Sequence, residues 1–203
     1  NNNNPRDCND HGTHVAGIIR GSTQDIIGVG AGALASTKVK LMALKFLDCD
    51  GIGTTSDAIE AIDYAIRNGA KILNNSWGGG AYSTALHEAI ARSYSANTLF
   101  VAAAGNSGLN IDSSPSYPAS YNVPNVLSVG ASNSFDYSAG FSNYGVVNVH
   151  IASPGVGVLS TVSCNTNDVT CNYTATMSGT SMAAPFIAGI ATMMKWQKST
   201  MIG

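Results

Sequence analysis

The chain contains the stretch Ser178-Gly179-Thr180-Ser181-Met182-Ala183-Ala184-Pro185, which continues as an almost uniformly apolar run to Met194. A glycine-containing turn followed by such a run predicts a loop that leads into a buried helix, with Pro185 in the first turn. Ser181 then lies at the helix N-terminus, where backbone N–H groups and the helix dipole favour a developing oxyanion. A lone Ser before a helix is more often an N-cap, so its assignment as a nucleophile depends on other segments.

Two further stretches supply the other groups that acyl transfer requires. His11 begins a short apolar helix within residues 10–17, and Asn106 follows an apolar strand that breaks at Gly105. A hydroxyl, an imidazole and an amide donor serve acyl transfer as nucleophile, general base and oxyanion stabiliser. Ser181, His11 and Asn106 are therefore the candidate catalytic residues.

These three segments, in the order His, Asn, Ser, resemble the corresponding boxes of the subtilisin-like serine proteases, the subtilases, over about residues 11–194. The resemblance implies an α/β fold of three layers, in which helices flank a mostly parallel central sheet. It also implies a serine endopeptidase with a Ser/His/Asp triad, in which Asn106 and the Ser181 N–H form the oxyanion hole. Polypeptides would then be the substrates, and a propeptide of the same protein a possible partner.

The carboxylate of the triad is not assigned within this chain. In subtilases it ends a strand some thirty residues before the His, whereas only ten residues precede His11. Asp7 and Asp10 are the acids there, but neither follows an apolar strand, and Asp10 is expected to cap the helix of His11. We therefore expect residues 1–203 to be a partial catalytic domain that lacks the Asp-bearing strand and the C-terminal end. The alternative is a non-catalytic pseudoprotease or peptide-binding fragment, which an upstream strand ending in Asp would argue against.

Alternating strand and helix patterns predict the architecture. We expect strands at residues 38–46, 71–75 and 99–103, separated by helices with short turns, which implies right-handed crossovers and a parallel sheet. Ser56 is expected to cap the first of these helices, and the second spans residues 83–96. The predicted inward faces are Ile59, Ile62 and Ile66 on the first helix and Leu86, Ile90 and Tyr94 on the second. A strand is expected at 126–131. Residues 149–154 and 173–177 match further boxes of the subtilases, and this resemblance implies that they supply antiparallel pairing that delivers Ser181 to the site.

Glycine-rich loops follow each of the three predicted parallel strands, where ligands bind in such sheets. Glycine lets a peptide backbone approach and pair as an added strand, and the matching segments of subtilases bind substrate in this way. The candidate substrate-binding residues are Gly51, Gly53, Ser76, Trp77, Gly78, Ala103, Ala104, Gly105 and Ser116. Those expected to line the S1 pocket are uncharged, which predicts an apolar or aromatic residue before the scissile bond. Trp77 replaces the smaller aliphatic residue expected there, and Pro118 is the candidate for the family's cis proline.

Composition excludes several classes of protein. The length of 203 residues fits one domain, charged residues are 11% of the chain, and the net charge is −2. No cluster of Lys or Arg indicates a nucleic-acid or anionic-membrane partner, and no apolar run approaches the ~20 residues that span a bilayer. No cofactor is needed for the expected chemistry. Calcium often stabilises subtilases, but the loop at residues 20–25 is too short for the usual site, so no metal ligand is assigned.

Four cysteines, an even number, permit three pairings, and none lies in a metal-binding motif. Cys164 and Cys171 flank a polar loop that a disulfide can close. In the fold that the resemblance implies, the loops of Cys8 and Cys49 lie on the same rim of the active site. We therefore expect the pairs Cys8–Cys49 and Cys164–Cys171, and with them a secreted or otherwise extracytoplasmic protein.

Overall fold

The computed structural model describes residues 6–21, 27–29, 39–163 and 173–201. The elements in chain order are α1 (His11–Arg20), α2 (Thr55–Arg67), β1 (Ile72–Asn75), α3 (Thr84–Ser95), β2 (Leu99–Ala103), β3 (Val126–Ser132), β4 (Ile151–Pro154), β5 (Val158–Thr161), β6 (Thr174–Met177) and α4 (Thr180–Met201). Within these ranges no helix is long and apolar enough to cross a membrane.

A four-stranded parallel sheet forms the centre of the molecule, with the strands in the order β1-β2-β3-β4. The pairs that begin each ladder are Ile72 with Leu99, Phe100 with Val126, and Val129 with Ile151. A second, antiparallel pair of strands is the hairpin of β5 and β6. Because parallel strands need crossover connections, α3 lies between β1 and β2 in the chain and packs on the sheet.

Helices cover both faces of the sheet, because alternate residues of a strand point to opposite sides. Phe100 and Ala102 of β2 belong to the core shared with α2 and α3. Val101 and Ala103 belong to a second core, which includes Ala184 of α4 and Ile19 of α1. The structure thus has the three-layer α/β architecture that the sequence predicted.

The helix boundaries differ from the sequence prediction at one N-cap. The cap of α2 is Thr54, not Ser56: the Thr54 hydroxyl accepts a bond from the Asp57 N–H at 3.1 Å and donates to its carboxylate at 2.6 Å. The Thr54 hydroxyl thus accepts from a backbone N–H of the first turn that has no partner within the helix. The helix therefore starts before Ser56. On this helix Ile62 is buried, and Ile59 and Ile66 pack against the same core as predicted.

The inward face of α3 also differs from the prediction. Leu86 and Ile90 are buried as expected, but Tyr94 is 52% exposed. Ser93, three residues after Ile90, occupies the inward position and donates a hydrogen bond to the Ile90 carbonyl at 2.7 Å. The small side chain suits the closely packed end of the helix, whereas the Tyr94 ring lies at the surface.

Two strand predictions were wrong. The described part of the first, residues 39–46, forms no strand, because a groove of about 1130 Å³ separates it from β1 and leaves its backbone without a ladder partner there. Residues 149–154 were expected to pair antiparallel, but Ile151–Pro154 is β4, which pairs parallel with β3. Residues 173–177 were also expected to pair antiparallel, and they do: Thr174–Met177 is β6, whose antiparallel partner is β5.

Two local predictions are confirmed. The peptide bond between Tyr117 and Pro118 is cis. A disulfide joins Cys8, just before α1, to Cys49 in the loop before α2. Cys164 and Cys171 lie outside the described residues.

Candidate active site

The predicted nucleophile lies where β1 and α4 meet. Ser181 is the second residue of α4, and the backbone carbonyl of Ser76, directly after β1, accepts a hydrogen bond from Ser181 Oγ at 3.2 Å. Ser76 Oγ in turn donates to the Ser181 carbonyl at 2.8 Å. The carbonyl is free to accept because Pro185, four residues later, has no N–H to donate to it. Pro185 therefore lets the end of β1 attach directly to the first turn of α4.

The amide of Asn106, three residues after the end of β2, has a fixed orientation. Its Oδ1 accepts two bonds from Thr180, one from the backbone N–H at 2.8 Å and one from the hydroxyl at 2.9 Å. The Gly105 N–H completes the arrangement by donating to Thr180 Oγ1 at 3.1 Å. Because Oδ1 is fully used, Asn106 Nδ2 points the other way, and a Cβ placed on Gly179 would lie 3.4 Å from it. The amide donor is therefore held beside the turn that carries Ser181.

Asn143 secures the loop that carries Asn106. Its buried Nδ2 donates to the Ala104 carbonyl at 2.8 Å, while its Oδ1 accepts from the N–H groups of Ser107 and Leu109 at 3.1 and 3.0 Å. Gly105 has φ +104°, and a Cβ there would lie 2.4 Å from Asn143 Nδ2. Only glycine fits such a position, so the break at Gly105 reflects this close contact.

A cavity of about 320 Å³ opens beside these groups. It is lined by Trp77, Gly78, Gly79, Ala103, Gly105, Asn106, Ser107, Ser116, Asn143, Thr180 and Ser181. Five of the nine candidate substrate-binding residues are in this lining, namely Trp77, Gly78, Ala103, Gly105 and Ser116. Ala104 does not line it, because its side chain is fully buried in the core that faces α2 and α3. The lining contains neither an acid nor a base.

The groove next to β1 is the second cavity at this end of the sheet. His11, Gly51, Ser76 and Trp77 are among its lining residues, and Trp77 lines both cavities. Gly53 is exposed and lines neither of them.

Trp77, one of the candidate substrate-binding residues, is held from two sides at the rim. Its Nε1 donates to Asn75 Oδ1 at 3.2 Å, and its ring meets Phe46 edge to face with centroids 5.3 Å apart. The indole thus forms part of the wall of both cavities.

His11 is the first residue of α1, and a carboxylate caps the helix beneath it. The cap is Asp7, not Asp10 as predicted: Asp7 accepts bonds from the N–H groups of Asn9, Asp10 and Thr13 and from the Thr13 hydroxyl. Asp10 has φ 76° and makes no cap bond with its side chain. Its Oδ1 instead accepts from the N–H and hydroxyl of Ser163.

The surroundings of His11 favour the neutral imidazole. Burial lowers the pKa of His11, the Asp7 carboxylate opposes that effect, and His14 adds to it, leaving the pKa below its ordinary value. Burial raises the pKa of Asp7, but the hydrogen bonds from Asn9, Thr13 and Asp10 outweigh it and hold that pKa below its usual range. A neutral imidazole beside a charged carboxylate can accept a proton at neutral pH.

Sequence reasoning named Ser181, Asn106 and His11 but missed Thr180 and Asn143. Thr180 adjoins Ser181, so a search for groups that orient the Asn106 amide could have found it. Asn143 carries no local signal, because it acts on Ser107 from 36 residues further along the chain. In the described ranges, no three Asp, Glu, His or Cys side chains are grouped closely enough to hold a metal ion, so no calcium ligands are assigned.

Comparison with known proteins adds an independent observation. A model of the subtilase family matches residues 1–201. The thermophilic serine proteinase of Bacillus sp. (strain AK1) is 42% identical over 193 residues, which are 95% of this chain and 44% of that relative. Subtilisin DY of Bacillus licheniformis is 39% identical over 191 residues, 93% of this chain and 64% of that relative. A crystal structure of a cold-adapted subtilisin-like serine proteinase matches with a TM-score of 0.80 at 36% identity, covering 97% of this chain and 65% of that one.

Proposed function

The chain belongs to the subtilase family, and from that premise we propose that it carries the nucleophile, base and oxyanion donors of a serine endopeptidase. Ser181 Oγ attacks the peptide carbonyl, His11 accepts its proton, and Asn106 Nδ2 with the Ser181 N–H binds the oxyanion. The observation that supports this proposal is the Asn106 amide: its Oδ1 is held by Thr180, and its Nδ2 lies beside Gly179 in the turn before Ser181. The chain spans 44% and 64% of the two relatives named above, so the activity is proposed for the whole protein.

We propose that the orienting carboxylate of His11 comes from an extended segment in the groove beside β1. Asp7 does not fit this role, since both of its oxygens are occupied by the cap of α1. The position of the groove supports this proposal: it lies between β1 and residues 39–47, and residues of α1, α2 and α4 also line it. Its lining is mostly apolar and includes His11, so a strand in the plane of the sheet would end near the imidazole.

The proposed substrates are polypeptides with an apolar or aromatic residue before the scissile bond. The 320 Å³ cavity suits such a side chain, and its lining has no acid that would pair with Lys or Arg. The Cys8–Cys49 disulfide supports secretion to an oxidising compartment. A profile of cleaved peptide-library sequences would test the preference, and a profile dominated by basic residues would contradict it.

A peptide-binding pseudoprotease remains the alternative function, since the cavity alone could hold a peptide. Reaction of the complete protein with a fluorophosphonate, which labels activated serines covalently, separates the two. We expect labelling of the wild type and none of Ser181→Ala. Ser114→Ala is the matched control, because Ser114 is exposed and lines neither cavity. Failure of the wild type to react, or labelling that persists in Ser181→Ala, would overturn the proposal.

A further inference from the structure

The helix that begins with His11 is fastened to the β5–β6 hairpin by a buried imidazole. His14, on the next turn of α1, is 0% exposed, and its Nε2 lies 3.0 Å from the Val158 carbonyl of β5 and 3.0 Å from the Ala175 carbonyl of β6. Carbonyl oxygens only accept, so Nε2 must carry the proton and donate to both strands. Nδ1 is then a lone-pair atom, and it has no partner among the described residues. His14 is thus a neutral donor shared by the two strands.

Hydroxyl groups of β5 bind the same helix in the opposite direction. Ser160 Oγ donates to the His14 carbonyl at 2.7 Å, and Thr161 Oγ1 donates to the Thr13 carbonyl at 3.0 Å. The close approach depends on Gly17, where a Cβ would lie 2.3 Å from each of these two hydroxyl oxygens. Side-chain donors from both partners therefore fix α1 on the hairpin in position and in rotation.

The hairpin also leads directly to the nucleophile. β6 ends at Met177, and Ser178 follows, whose hydroxyl accepts from the Gly157 N–H at 2.9 Å. The Gly179 N–H donates to the Gly155 carbonyl at 2.8 Å, which ties the turn before Ser181 to the start of the hairpin. One small element therefore connects the helix of the base with the turn of the nucleophile.

We propose that His14 is a positioning residue for the reaction, setting the placement of His11 relative to Ser181 through the β5–β6 hairpin. This inference rests on the proposed function. His14 touches neither substrate nor reacting atoms, and it acts by fixing the first turn of α1. A misplacement of a catalytic group by ~1 Å can lower the rate by ~10²-fold. Removing the hydrogen bonds of His14 should therefore lower the catalytic rate even in a variant that folds normally.

The test compares His14→Leu, which keeps the bulk but removes the donor, with His14→Gln, whose amide N–H₂ can donate to both carbonyls. Rates are measured in the complete protein and normalised to the fraction of Ser181 that a fluorophosphonate titrates. We expect His14→Leu to lower kcat by ~10–10² with KM changed less than ~3-fold, and His14→Gln to recover most of the loss. A purely structural role would reduce the titratable fraction and leave the normalised kcat unchanged in both variants.

Milder variants keep the inference testable if His14→Leu does not fold. Ser160→Ala and Thr161→Val each remove one hydroxyl bond to α1 and should lower the normalised kcat by ~2–10-fold. Ser95→Ala is the matched control, because it removes a hydroxyl bond to a helix carbonyl on α3, where Ser95 Oγ binds the Ala91 carbonyl. Normal kcat in all the hairpin variants would overturn the inference while leaving the proposed function intact. A wild type that does not react with the fluorophosphonate would instead refute the proposed function.

Discussion

At the scale of single residues, the orientation of the Asn106 amide decides whether its donor end is available for the oxyanion role that we propose. A side-chain amide has a donor end and an acceptor end, and only the donor end can bind an oxyanion. Thr180 occupies the acceptor end with two hydrogen bonds. Turning the amide over would place its N–H₂ against the Thr180 backbone N–H, which cannot accept a hydrogen bond, so the observed orientation is preferred.

Replacing Asn106 by Leu keeps the size of the side chain and removes the donor. We expect kcat to fall by ~10²–10³, the loss seen for an oxyanion donor in subtilisin, with little change in KM. The reason is that the bond strengthens mainly in the transition state. Steady-state kinetics on a chromogenic peptide measures both constants, and an effect confined to KM would refute the role.

Thr180→Val tests the orientation of the Asn106 amide by Thr180 separately from the hydrogen bond that Asn106 Nδ2 is proposed to donate to the substrate. It removes the hydroxyl that binds Asn106 Oδ1 and accepts from Gly105, but leaves the backbone bond to Asn106 in place. We expect kcat to fall by roughly 10-fold, less than in Asn106→Leu, because one of two orienting bonds remains. Thr180→Ser keeps the hydroxyl and is the control. Equal losses in Thr180→Val and Thr180→Ser would show that the hydroxyl is not the cause.

The sequence could predict the role of a residue when that role depends on its neighbours in the chain. It could not predict a role that depends on contacts with residues far along the chain. Ser181 was proposed as the nucleophile from the apolar helix that follows it together with the segments of His11 and Asn106, and that role stays a prediction. Asp7 and Asp10 show the limit, since sequence proximity to His11 favoured Asp10 as the cap. The left-handed backbone of Asp10 turns its carboxylate to Ser163, and Asp7 caps the helix in its place. Such a choice depends on a partner far along the chain.

At the scale of elements, α1 combines two histidines whose environment disfavours charge. Burial lowers the pKa of His14, although its bonds to the Ala175 and Val158 carbonyls oppose that shift, and the pKa of His11 is lowered as well. The unfolded chain, with His pKa values near ~6.5, therefore binds more protons than the folded one as the medium becomes acidic. Stability contributed by these groups is present above about pH 6.5 and is lost as the pH falls below it.

Urea unfolding at pH 8 and pH 5 measures this effect. We expect the midpoint to fall at pH 5, and to fall less in His14→Gln, which has no group to protonate at that position. His11 remains in that variant, so part of the dependence should persist. An unchanged dependence in His14→Gln would show that His14 does not contribute.

The disulfide joins the loop before α1 to the loop before α2, and the two cysteines are 41 positions apart in the sequence. Replacing Cys8 and Cys49 together by Ser leaves no odd thiol. We expect the free energy of unfolding to fall by roughly 4 kcal/mol, the value that the chain-entropy model gives for a loop of this length. Denaturant unfolding measures the change, and peptide mapping without reductant should find Cys8–Cys49 together with Cys164–Cys171. Crossed pairs or free thiols would contradict the assignment.

The predicted bounds of β1, β2 and β3 agree with the structure to within one residue at each end, and β2 shows why: a strand buried on both faces appears as a short apolar run bounded by turns. The same reasoning failed for residues 39–46, whose apolar alternation is that of a strand. A strand forms only with a partner, and the neighbouring position is a groove in this structure. A pattern of side chains therefore indicates which segment can pair, but not whether its partner is present.

At the scale of the whole molecule, we expect the groove beside β1 to affect stability and the proposed catalysis together. The 203-residue chain made alone should be a very poor protease, because an intact triad that loses its carboxylate loses ~10⁴ in rate. Supplying the proposed extended segment upstream of residue 1 should restore structure and activity, whereas the same segment with Asn for its Asp should restore structure only. A casein assay measures activity and circular dichroism measures structure for the three chains: the chain alone, the chain with the segment, and the chain with the Asn-substituted segment. Full activity of the chain alone would mean that another acid serves His11.

The groove leaves β1 as an edge strand, with one row of backbone N–H and C=O groups that no strand of the described sheet pairs. The unpaired backbone groups of such an edge can form ladder hydrogen bonds with another extended chain, including the β1 edge of a second molecule. The 203-residue chain should therefore self-associate as its concentration is raised. Light scattering would measure this as a rise in the average molecular mass. An extended apolar peptide that occupies the groove should hold the chain monomeric, and its inhibition of aggregation would be a convenient screen for sequences that fit.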